Sequence, residues 1–460
     1  MTLLLARWQF AIVTVFHFFF VPVTIGLAFL VAVMQSLAYR RHDEEWDRLS
    51  RFFGRMFLVN MAVGVVTGIV LEFEFGLNWS SYSVFVGNIF GAPLAIEGLL
   101  AFFLESTFIG LWIFGRDRLS PRLHLATIWL VSIGTILSAL FILAANAWMQ
   151  HPVGYKVVDG QAVLTNFWAV LANSTLWGSF THTILAAFAT GGALMLGVSV
   201  WRVHRDGAEA SSRPAFVRAA RLAAAFTLAT VTLTAATGDI QGRLMESQQP
   251  MKMAAAEALY NTKDGASFSL LTIGDLSGKP GFQIRVPHVL SMIADLSWNG
   301  QVKGINQLQA SEMATYGPGS YVPVIWLTYW SFRAMIGAGV LLMGLTAWGL
   351  WLLRKGRLGE SVWYRRAALA GIALPLISNS TGWIFTEVGR QPWIVYGLMT
   401  TAKGVSAVTT ADVALTTVVF ILLYTVLGII AGLLMARAAR RDLVVEESTP
   451  PRPLVPTLVY

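Results

Sequence analysis

Three side chains that can bind iron stand inside apolar segments of this sequence. His17 lies in VFHFFFVP, His182 in SFTHTI and Met335 in WSFRAMIG. A neutral imidazole is a good iron ligand, and helical bundles build cofactor sites from facing helices. A histidine and a methionine could together fill both axial positions of a low-spin heme. The alternatives are hydrogen bonds from the histidines to neighbouring helices, and ordinary apolar packing of Met335.

The apolar segments also contain carboxylates and guanidinium groups, which are costly at membrane depth and therefore mark candidate functional sites. Glu97 and Glu105 share the stretch APLAIEGLLAFFLEST. On an uninterrupted α-helix they would be about 12 Å and about 80° apart, which favours a proton relay, or one ligand and one proton donor, over a shared-proton pair. The alternative is a structural carboxylate. In GWIFTEVGRQPW, Glu387 precedes Arg390 by three residues, and Arg333 needs an anionic partner such as a heme propionate.

The composition indicates that these residues are positioned by membrane-spanning helices. The chain has 460 residues, of which 55% are apolar and only 13% charged, against about 25% charged in a typical soluble domain. A helix needs about 20 apolar residues to cross a bilayer. Nine segments meet this length: 11–37, 53–75, 93–114, 122–145, 178–201, 216–237, 324–353, 365–386 and 412–436. The first segment is too long for a signal peptide and is predicted to be retained.

The placement of Lys and Arg predicts the orientation of the bundle. Most of these 33 residues fall in the connections 38–55, 115–122, 202–221 and 354–366 and in the tail after 436. Because basic residues favour the cytoplasmic side, we expect the N-terminus outside and the C-terminus in the cytoplasm. The net charge of +8 thus reflects topology, and no nucleic-acid partner is predicted. The absence of cysteine excludes disulfides, thiolate metal sites and iron–sulfur clusters.

One long connection is predicted to be functional. The chain divides into helices one to six with His182 (1–237), a long outer loop (238–322), helices seven to nine (323–437) and a Pro-rich, disordered cytoplasmic tail (438–460). Lys252 and Glu257 lie in the loop, about 140° apart on any helix, so we expect them to act separately and away from the metal ligands. A solvated loop helix is the alternative interpretation.

The sequence resembles subunit I of the cytochrome bd-type quinol oxidases along nearly all of its length. The resemblance is carried by FHFFFVPVTIGLAFL, LEFEFGLNWSSYS, NIFGAPLAIEGLLAFFLESTFIGLWIFG, ILAANAWMQHPVG, FRAM and GWIFTEVGRQPW, and by the spacing of Lys252 and Glu257. It implies an all-α membrane protein, a bundle of nine transmembrane helices whose long outer loop is the short form of a quinol-binding loop.

The resemblance also implies three hemes and no copper. His182 and Met335 match the ligands of a low-spin heme b. His17 and Glu387 match ligands of the two high-spin hemes, a heme b and a heme d. The resemblance does not show which of these two residues ligates which heme. Glu97 and Glu105 match acidic residues near the high-spin pair. Further cofactor contacts are predicted for Arg333, Arg390 and Trp383.

The implied activity is oxidation of membrane quinol and reduction of dioxygen to water. Quinol would bind near Lys252 and Glu257 and release protons outside, while protons for water come from the cytoplasm, so that a gradient forms without pumping. The implied setting is a bacterial cytoplasmic membrane, with a subunit II and small single-span subunits as partners. The alternatives are a variant with b hemes only, and a proton-coupled transporter. A heme–copper oxidase is disfavoured because the seven histidines are scattered.

Overall fold

The structure is a computed structural model that describes residues 1–207, 210–274, 276 and 280–443. In these residues nine helical segments are long and apolar enough to cross a membrane, and they correspond one to one to the predicted segments. They are Thr2–Arg41, Glu44–Leu77, Ser80–Phe114, Pro121–Gln150, Ser174–Arg205, Arg213–Gln248, Ile325–Arg354, Val362–Val388 and Thr410–Arg440. The predicted all-α membrane fold of nine transmembrane helices is confirmed.

The helices are numbered in chain order. They are α1 (Thr2–Arg41), α2 (Glu44–Leu77), α3 (Ser80–Ile96), α4 (Phe103–Phe114), α5 (Pro121–Gln150), α6 (Phe167–Leu171), α7 (Ser174–Arg205), α8 (Arg213–Gln248), α9 (Pro250–Glu257), α10 (Val289–Asp295), α11 (Ile305–Tyr316), α12 (Ile325–Arg354), α13 (Val362–Ala370), α14 (Ala373–Gly389), α15 (Thr401–Gly404) and α16 (Thr410–Arg440).

The strands form four antiparallel pairs in the connections between helices. They are β1 (Tyr155–Val158), β2 (Gln161–Leu164), β3 (Lys263–Asp264), β4 (Phe268–Gly274), β5 (Pro280–Val286), β6 (Gln301–Val302), β7 (Trp393–Val395) and β8 (Met399–Thr400). The pairs are β1 with β2, β3 with β6, β4 with β5, and β7 with β8.

The third membrane segment contains a turn of π-helix. Residues Glu97–Phe102 form this turn between α3 and α4. A π-turn changes the angular position of every following side chain and is frequent at functional sites. The predicted angle of about 80° between Glu97 and Glu105 is therefore wrong, because it assumed an uninterrupted α-helix.

The backbones of α1 and α7 meet at a pair of glycines in the middle of the bundle. A Cβ atom added to Gly26 would lie 2.4 Å from the carbonyl oxygen of Ala187 and 2.7 Å from the nitrogen of Gly191. Small residues allow such close approach, and van der Waals packing is a main source of helix association in membranes. This crossing fixes α1 against α7, the helices that carry His17 and His182.

The long loop between α8 and α12 has its own small apolar core. Helix α8 continues to Gln248, past the predicted end of its membrane segment at residue 237, and α9 follows directly. The core of the loop consists of the buried residues Met253, Leu259, Ala266, Leu290, Ala294 and Val302. The described part of the loop therefore forms a packed cap on one end of the bundle.

The last helix extends past residue 438, where the disordered tail was predicted to begin. Helix α16 continues to Arg440, and the buried Arg202 donates hydrogen bonds to the carbonyl oxygens of Ala439 (3.2 Å) and Arg441 (2.5 Å). The first residues assigned to a disordered tail are thus helical and anchored. The prediction of disorder also covers residues 444–460, which lie outside the described part of the chain.

The glycine crossing generates a stability prediction. Gly191→Ala is expected to lower the melting temperature of the purified protein, because the new methyl group meets backbone atoms of α1 at 2.4–2.8 Å. Overpacking of this kind costs about 1–3 kcal/mol. The matched control is Gly344→Ala in α12, where an added Cβ meets nothing within 4 Å and alanine is the better helix former. Equal melting temperatures for the two variants would contradict the prediction.

Candidate functional site

A cavity of about 470 Å³ lies between α7, α8, α9, α12 and α14. Its size is typical of sites for small molecules and cofactors. Among its lining residues are five of the predicted site residues: His182, Met335, Trp383, Lys252 and Glu257. The structure thus brings the two predicted axial ligands and the two loop residues to the walls of one cavity.

Two threonines orient the two candidate histidine ligands in the same way. His17 Nδ1 lies 2.9 Å from Thr67 Oγ1, whose own hydrogen is donated to the carbonyl oxygen of Gly64. His182 Nδ1 lies 3.2 Å from Thr237 Oγ1, which donates to the carbonyl oxygen of Thr234. The tautomer with hydrogen on Nδ1 satisfies this arrangement, with each ring donating to its threonine oxygen. The Nε2 lone pair of both rings is therefore available to a metal.

Glycines keep space beside the candidate ligands. A Cβ atom at Gly68 would lie 3.1 Å from His17 Cε1, and one at Gly382 would lie 2.8 Å from Met335 Sδ. A larger residue at either position would press on the ligand side chain.

Arg333 joins the loop to the bundle. Its Nη2 lies 2.7 Å from Glu257 Oε1, it also donates to the carbonyl oxygens of Ser269 and Ala256, and its guanidinium lies 3.8 Å from the centre of the Tyr329 ring. The anionic partner of Arg333 in the structure is therefore Glu257. Burial raises the pKa of Glu257, and Arg333 and the amide of Ser269 oppose that shift.

Lys252 lies against the end of α14 that carries Glu387. Its Nζ donates to Gln150 Oε1 at 2.7 Å, and a Cβ atom at Gly389 would lie 2.7 Å from Lys252 Cγ. The pKa of Lys252 is lowered to about 7, first by burial and then by the positive charge of Arg390, with Glu387 opposing the shift. Lys252 and Glu257 have separate partners, as expected, but Lys252 does not lie apart from the predicted ligand Glu387.

Arg390 is only partly satisfied by its surroundings. Its Nη2 pairs with Glu387 Oε2, while Glu387 Oε1 accepts from Asn146 Nδ2 at 3.0 Å. Within the described part of the chain, Nε and Nη1 of the buried Arg390 have no hydrogen-bond partner, and neither has Nε1 of Trp383. Unpaired buried donors are expensive. Nε–H and Nη1–H point in different directions from the guanidinium, so each is open to a separate oxygen acceptor.

Glu97 and Glu105 both face α5. Glu97 Oε1 accepts from Ser138 Oγ at 2.6 Å, and a Cβ atom at Gly134 would lie 2.7 Å from Glu105 Cγ. Ser138 and Gly134 are one helical turn apart, so the π-turn brings both carboxylates to one face of α5. This arrangement is compatible with the proton relay that the sequence analysis favoured, which stays a prediction.

The sequence analysis missed the polar residues that orient the predicted ligands. Asn146 and Gln150 are four residues apart in ILAANAWMQHPVG, and this i, i+4 spacing in a polar pair at a helix end was a usable signal. Thr67 and Thr237 gave no signal, because threonines in apolar helices usually bond to their own backbone.

Comparison with known proteins agrees with this geometry. The family model for cytochrome bd terminal oxidase subunit I matches residues 5–443. Cytochrome bd ubiquinol oxidase subunit 1 of Bacillus subtilis (strain 168) is 46% identical over 442 residues, covering 95% of this chain and 94% of the relative. Cytochrome bd-II ubiquinol oxidase subunit 1 of Escherichia coli (strain K12) is 32% identical over 496 residues, covering 95% of this chain and 96% of the relative.

A solved structure gives the same result. The bd oxidase from Geobacillus thermodenitrificans matches with a TM-score of 0.87 and 27% identity, covering 96% of this chain and 99% of that chain. The predicted resemblance is thus confirmed at the level of sequence and of fold. With its oriented histidines, shared cavity and nine membrane helices, the chain belongs to the cytochrome bd terminal oxidase subunit I family.

Proposed function

We propose that this protein is the subunit of a respiratory oxidase that oxidises quinol and reduces dioxygen to water. The observation that carries the proposal is the pair of histidines whose Nδ1 atoms are held by Thr67 and Thr237. Buried imidazoles with an open Nε2 lone pair have the chemistry of heme ligands. The names of the relatives, which are ubiquinol oxidases, support the same function.

The residues present fit three hemes. Nε2 of His182 and Sδ of Met335 would hold the low-spin heme b, and His17 and Glu387 would ligate the two high-spin hemes, a heme b and a heme d. The free N–H groups of Arg390 and Trp383 suit heme propionates. When bound, the hemes supply the electron transfer and the oxygen chemistry.

We assign Lys252 and Glu257 to quinol binding at the α9 side of the shared cavity, because His182 and Met335 would hold the heme between α7 and α12. Glu257 is an acceptor held in place by Arg333, and Lys252 is an amine that can be neutral near pH 7. Both lie on α9, but Lys252 bonds to Gln150 of α5 and Glu257 to Arg333 of α12, so each can meet a different hydroxyl of the quinol ring. Arg333 has Glu257 as its anionic partner, so we assign it to holding the loop rather than a propionate.

Glu97 and Glu105 are proposed to carry protons toward the high-spin site. They face Ser138 and Gly134 on α5, which places two carboxylates and a hydroxyl along one path. Protons for water would enter from the cytoplasm, while quinol protons leave on the loop side. A gradient then forms by opposite-side release and uptake, without pumping.

The proposed setting is the cytoplasmic membrane of a bacterium. The N-terminus would lie outside and the C-terminus inside, which agrees with nine spans. A subunit II is the expected partner, together with small single-span subunits. The helices Ser80–Phe114 and Thr410–Arg440 are the least buried of the nine, so they offer the largest faces to lipid or to such partners.

The proposal is tested by the reduced-minus-oxidised absorption spectrum and metal content of the purified complex. We expect bands of low-spin heme b and of high-spin hemes, with iron and without copper. A heme d band would distinguish the expected form from a variant with b hemes only. Absence of all heme bands would overturn the proposal.

The variant Met335→Leu tests whether Met335 is a ligand of the low-spin heme. This variant should lose the low-spin spectrum and quinol oxidation while the high-spin hemes stay, because leucine cannot ligate iron. The control is Met343→Leu, which also lines the cavity on α12. An unchanged low-spin spectrum in Met335→Leu would show that another side chain is the ligand.

Thr67→Val and Thr237→Val should affect different hemes. Loss of a hydrogen bond that orients a ligating histidine typically costs 10–100-fold in affinity or activity. We therefore expect Thr237→Val to perturb the low-spin spectrum only, and Thr67→Val the high-spin spectrum only. Each variant is the control for the other, since both replace a hydroxyl by a methyl group. Identical spectra for the two variants would refute the assignment of the histidines to different sites.

The pKa of Lys252 predicts a pH dependence of quinol oxidation. Below about pH 7 Nζ is protonated and cannot accept a proton, whereas above it the neutral amine can accept one from a quinol hydroxyl. The value of kcat/KM should therefore rise through about pH 7, and Lys252→Gln should abolish this rise with all hemes retained. Lys263→Gln on the exposed strand β3 is the control. A parental pH profile in Lys252→Gln would contradict the assignment.

A further inference from the structure

The hairpin of β4 and β5 buries polar side chains and exposes apolar ones. On β4, Ser269 and Thr272 are 1% and 2% exposed. Four apolar side chains of the hairpin are instead open: Leu270 (51%), Ile273 (54%), Phe282 (53%) and Ile284 (43%). A two-stranded sheet on a water-soluble surface normally shows the opposite pattern, with apolar residues inward and polar residues outward.

The inverted pattern is fixed by specific bonds. Ser269 Oγ lies 3.0 Å from Thr272 Oγ1 and 2.7 Å from the hydroxyl of Tyr329. The amide of Ser269 donates to Glu257 at 2.8 Å, and its carbonyl oxygen accepts from Arg333. A shift of one residue along the strand would exchange the two faces, but it would break all four of these contacts. The apolar face is therefore held outward by the buried polar face.

The exposed apolar side chains include a cross-strand pair. Ile273 lies opposite Phe282, and Ile284 lies opposite Leu271 in the antiparallel register. Cross-strand apolar pairs stabilise a sheet. Ile273, Phe282 and Ile284 thus share one face of the sheet, and Leu270, at the register shift between Ser269 and Leu271, is exposed as well. Exposed apolar patches mark contacts with proteins, ligands or membranes.

The position of the hairpin along α12 identifies what covers this surface. Ser269 contacts Tyr329 and Arg333, and the ring of Phe268 lies 6.3 Å from that of Phe332. About 20 residues of α12 cross the hydrocarbon. Counted back from Arg354, which ends the helix beside a basic connection, the far boundary falls near Phe332 and Arg333. The base of the hairpin therefore touches α12 where headgroups meet acyl chains.

An exposed tryptophan supports the same depth. Trp326, in the first turn of α12, is 64% exposed. Tryptophan is enriched at the headgroup level of membranes, where its ring is apolar and its N–H is hydrated. Trp326 precedes Phe332 by less than two turns, so the hairpin base lies just on the bilayer side of this aromatic residue.

We infer that the β4–β5 hairpin is an interfacial membrane element, whose apolar face (Leu270, Ile273, Phe282 and Ile284) is covered by the outer ends of lipid acyl chains. Such interfacial elements bury an apolar face in the region between headgroups and acyl chains. The lipid explains why the hairpin exposes apolar residues while it buries Ser269 and Thr272.

One consequence rests on the proposed function. Phe268, at the base of the hairpin, lines the cavity that also contains Lys252 and Glu257. The hairpin is then the wall between this cavity and the lipid. Its apolar face gives the hydrocarbon tail of a quinol a continuous apolar path from the leaflet to the cavity.

The depth of the hairpin can be measured with nitroxide labels, because the chain has no cysteine. Ile273→Cys and Ile284→Cys carry the label on the hairpin. Thr315→Cys, on the exposed face of α11, is the matched control within the same loop. The oxidised complex is reconstituted in lipid nanodiscs without electron donor, and unsubstituted complex treated with the label gives the background from other subunits.

Collision with oxygen reports exposure to lipid, and collision with a water-soluble nickel chelate reports exposure to water. We expect the two hairpin labels to favour oxygen and the Thr315 label to favour nickel. Hairpin labels as open to nickel as the control would overturn the inference. Labels shielded from both reagents would also overturn it, because they would show a protein covering the hairpin.

A kinetic arm tests the consequence separately. Ile273→Asp places a charge on the lipid face and should raise KM for a long-tailed quinol in proteoliposomes without lowering kcat. Ile273→Asn, which adds no charge, should show a smaller rise. Equal KM values in both variants and the parent would overturn the path for the quinol tail. The label measurement needs no turnover, so it decides the membrane contact even if the parental complex oxidised no quinol.

Discussion

The ion pair between Arg333 and Glu257 joins the loop to the bundle, and the walls of the cavity depend on it. Removing two charges from water is costly, and a buried pair is favourable only if its remaining donors and acceptors are satisfied. Here they are, because Ser269 contributes its amide to Glu257 and its carbonyl oxygen to Arg333, and Tyr329 covers the guanidinium. One side chain of α12 thus holds the end of α9 and the start of β4 at once.

Arg390 shows the opposite condition in the same molecule. It has Glu387 as an acidic neighbour, as Arg333 has Glu257, yet two of its buried N–H groups have no partner in the described part of the chain. Arg333 joins α9 and β4 to α12 through its hydrogen bonds, whereas Nε and Nη1 of Arg390 are open to a further acceptor. From the sequence, both arginines were predicted to contact the cofactor. The difference in their hydrogen bonding depends on residues far away in the chain.

The nine spans could be predicted because hydrophobicity over 20 residues is a local property that the bilayer enforces. The angle between Glu97 and Glu105 could not be predicted. A π-turn inside an apolar segment leaves the run of apolar residues uninterrupted, so hydrophobicity does not reveal it. The contact of Lys252 with Gly389 could not be predicted from the sequence either, since it joins a loop residue to a helix end more than a hundred residues later. The ligand candidates were found by residue type and by family resemblance. Their threonine partners were not, because only the fold places Thr67 beside His17 and Thr237 beside His182.

The glycine crossing of α1 and α7 adds a constraint on the two histidines. Both helices are odd-numbered spans, so they run in the same direction through the membrane. His17 precedes Gly26 by nine residues, and His182 precedes Gly191 by nine residues. At 1.5 Å per residue, each imidazole lies about 13 Å from the crossing, on the same side of it. The two candidate ligands are therefore level with each other, near the end of the bundle that carries the loop. The close contact between Gly26 and Gly191 thus constrains the relative depth of His17 and His182, although the two histidines lie on different helices.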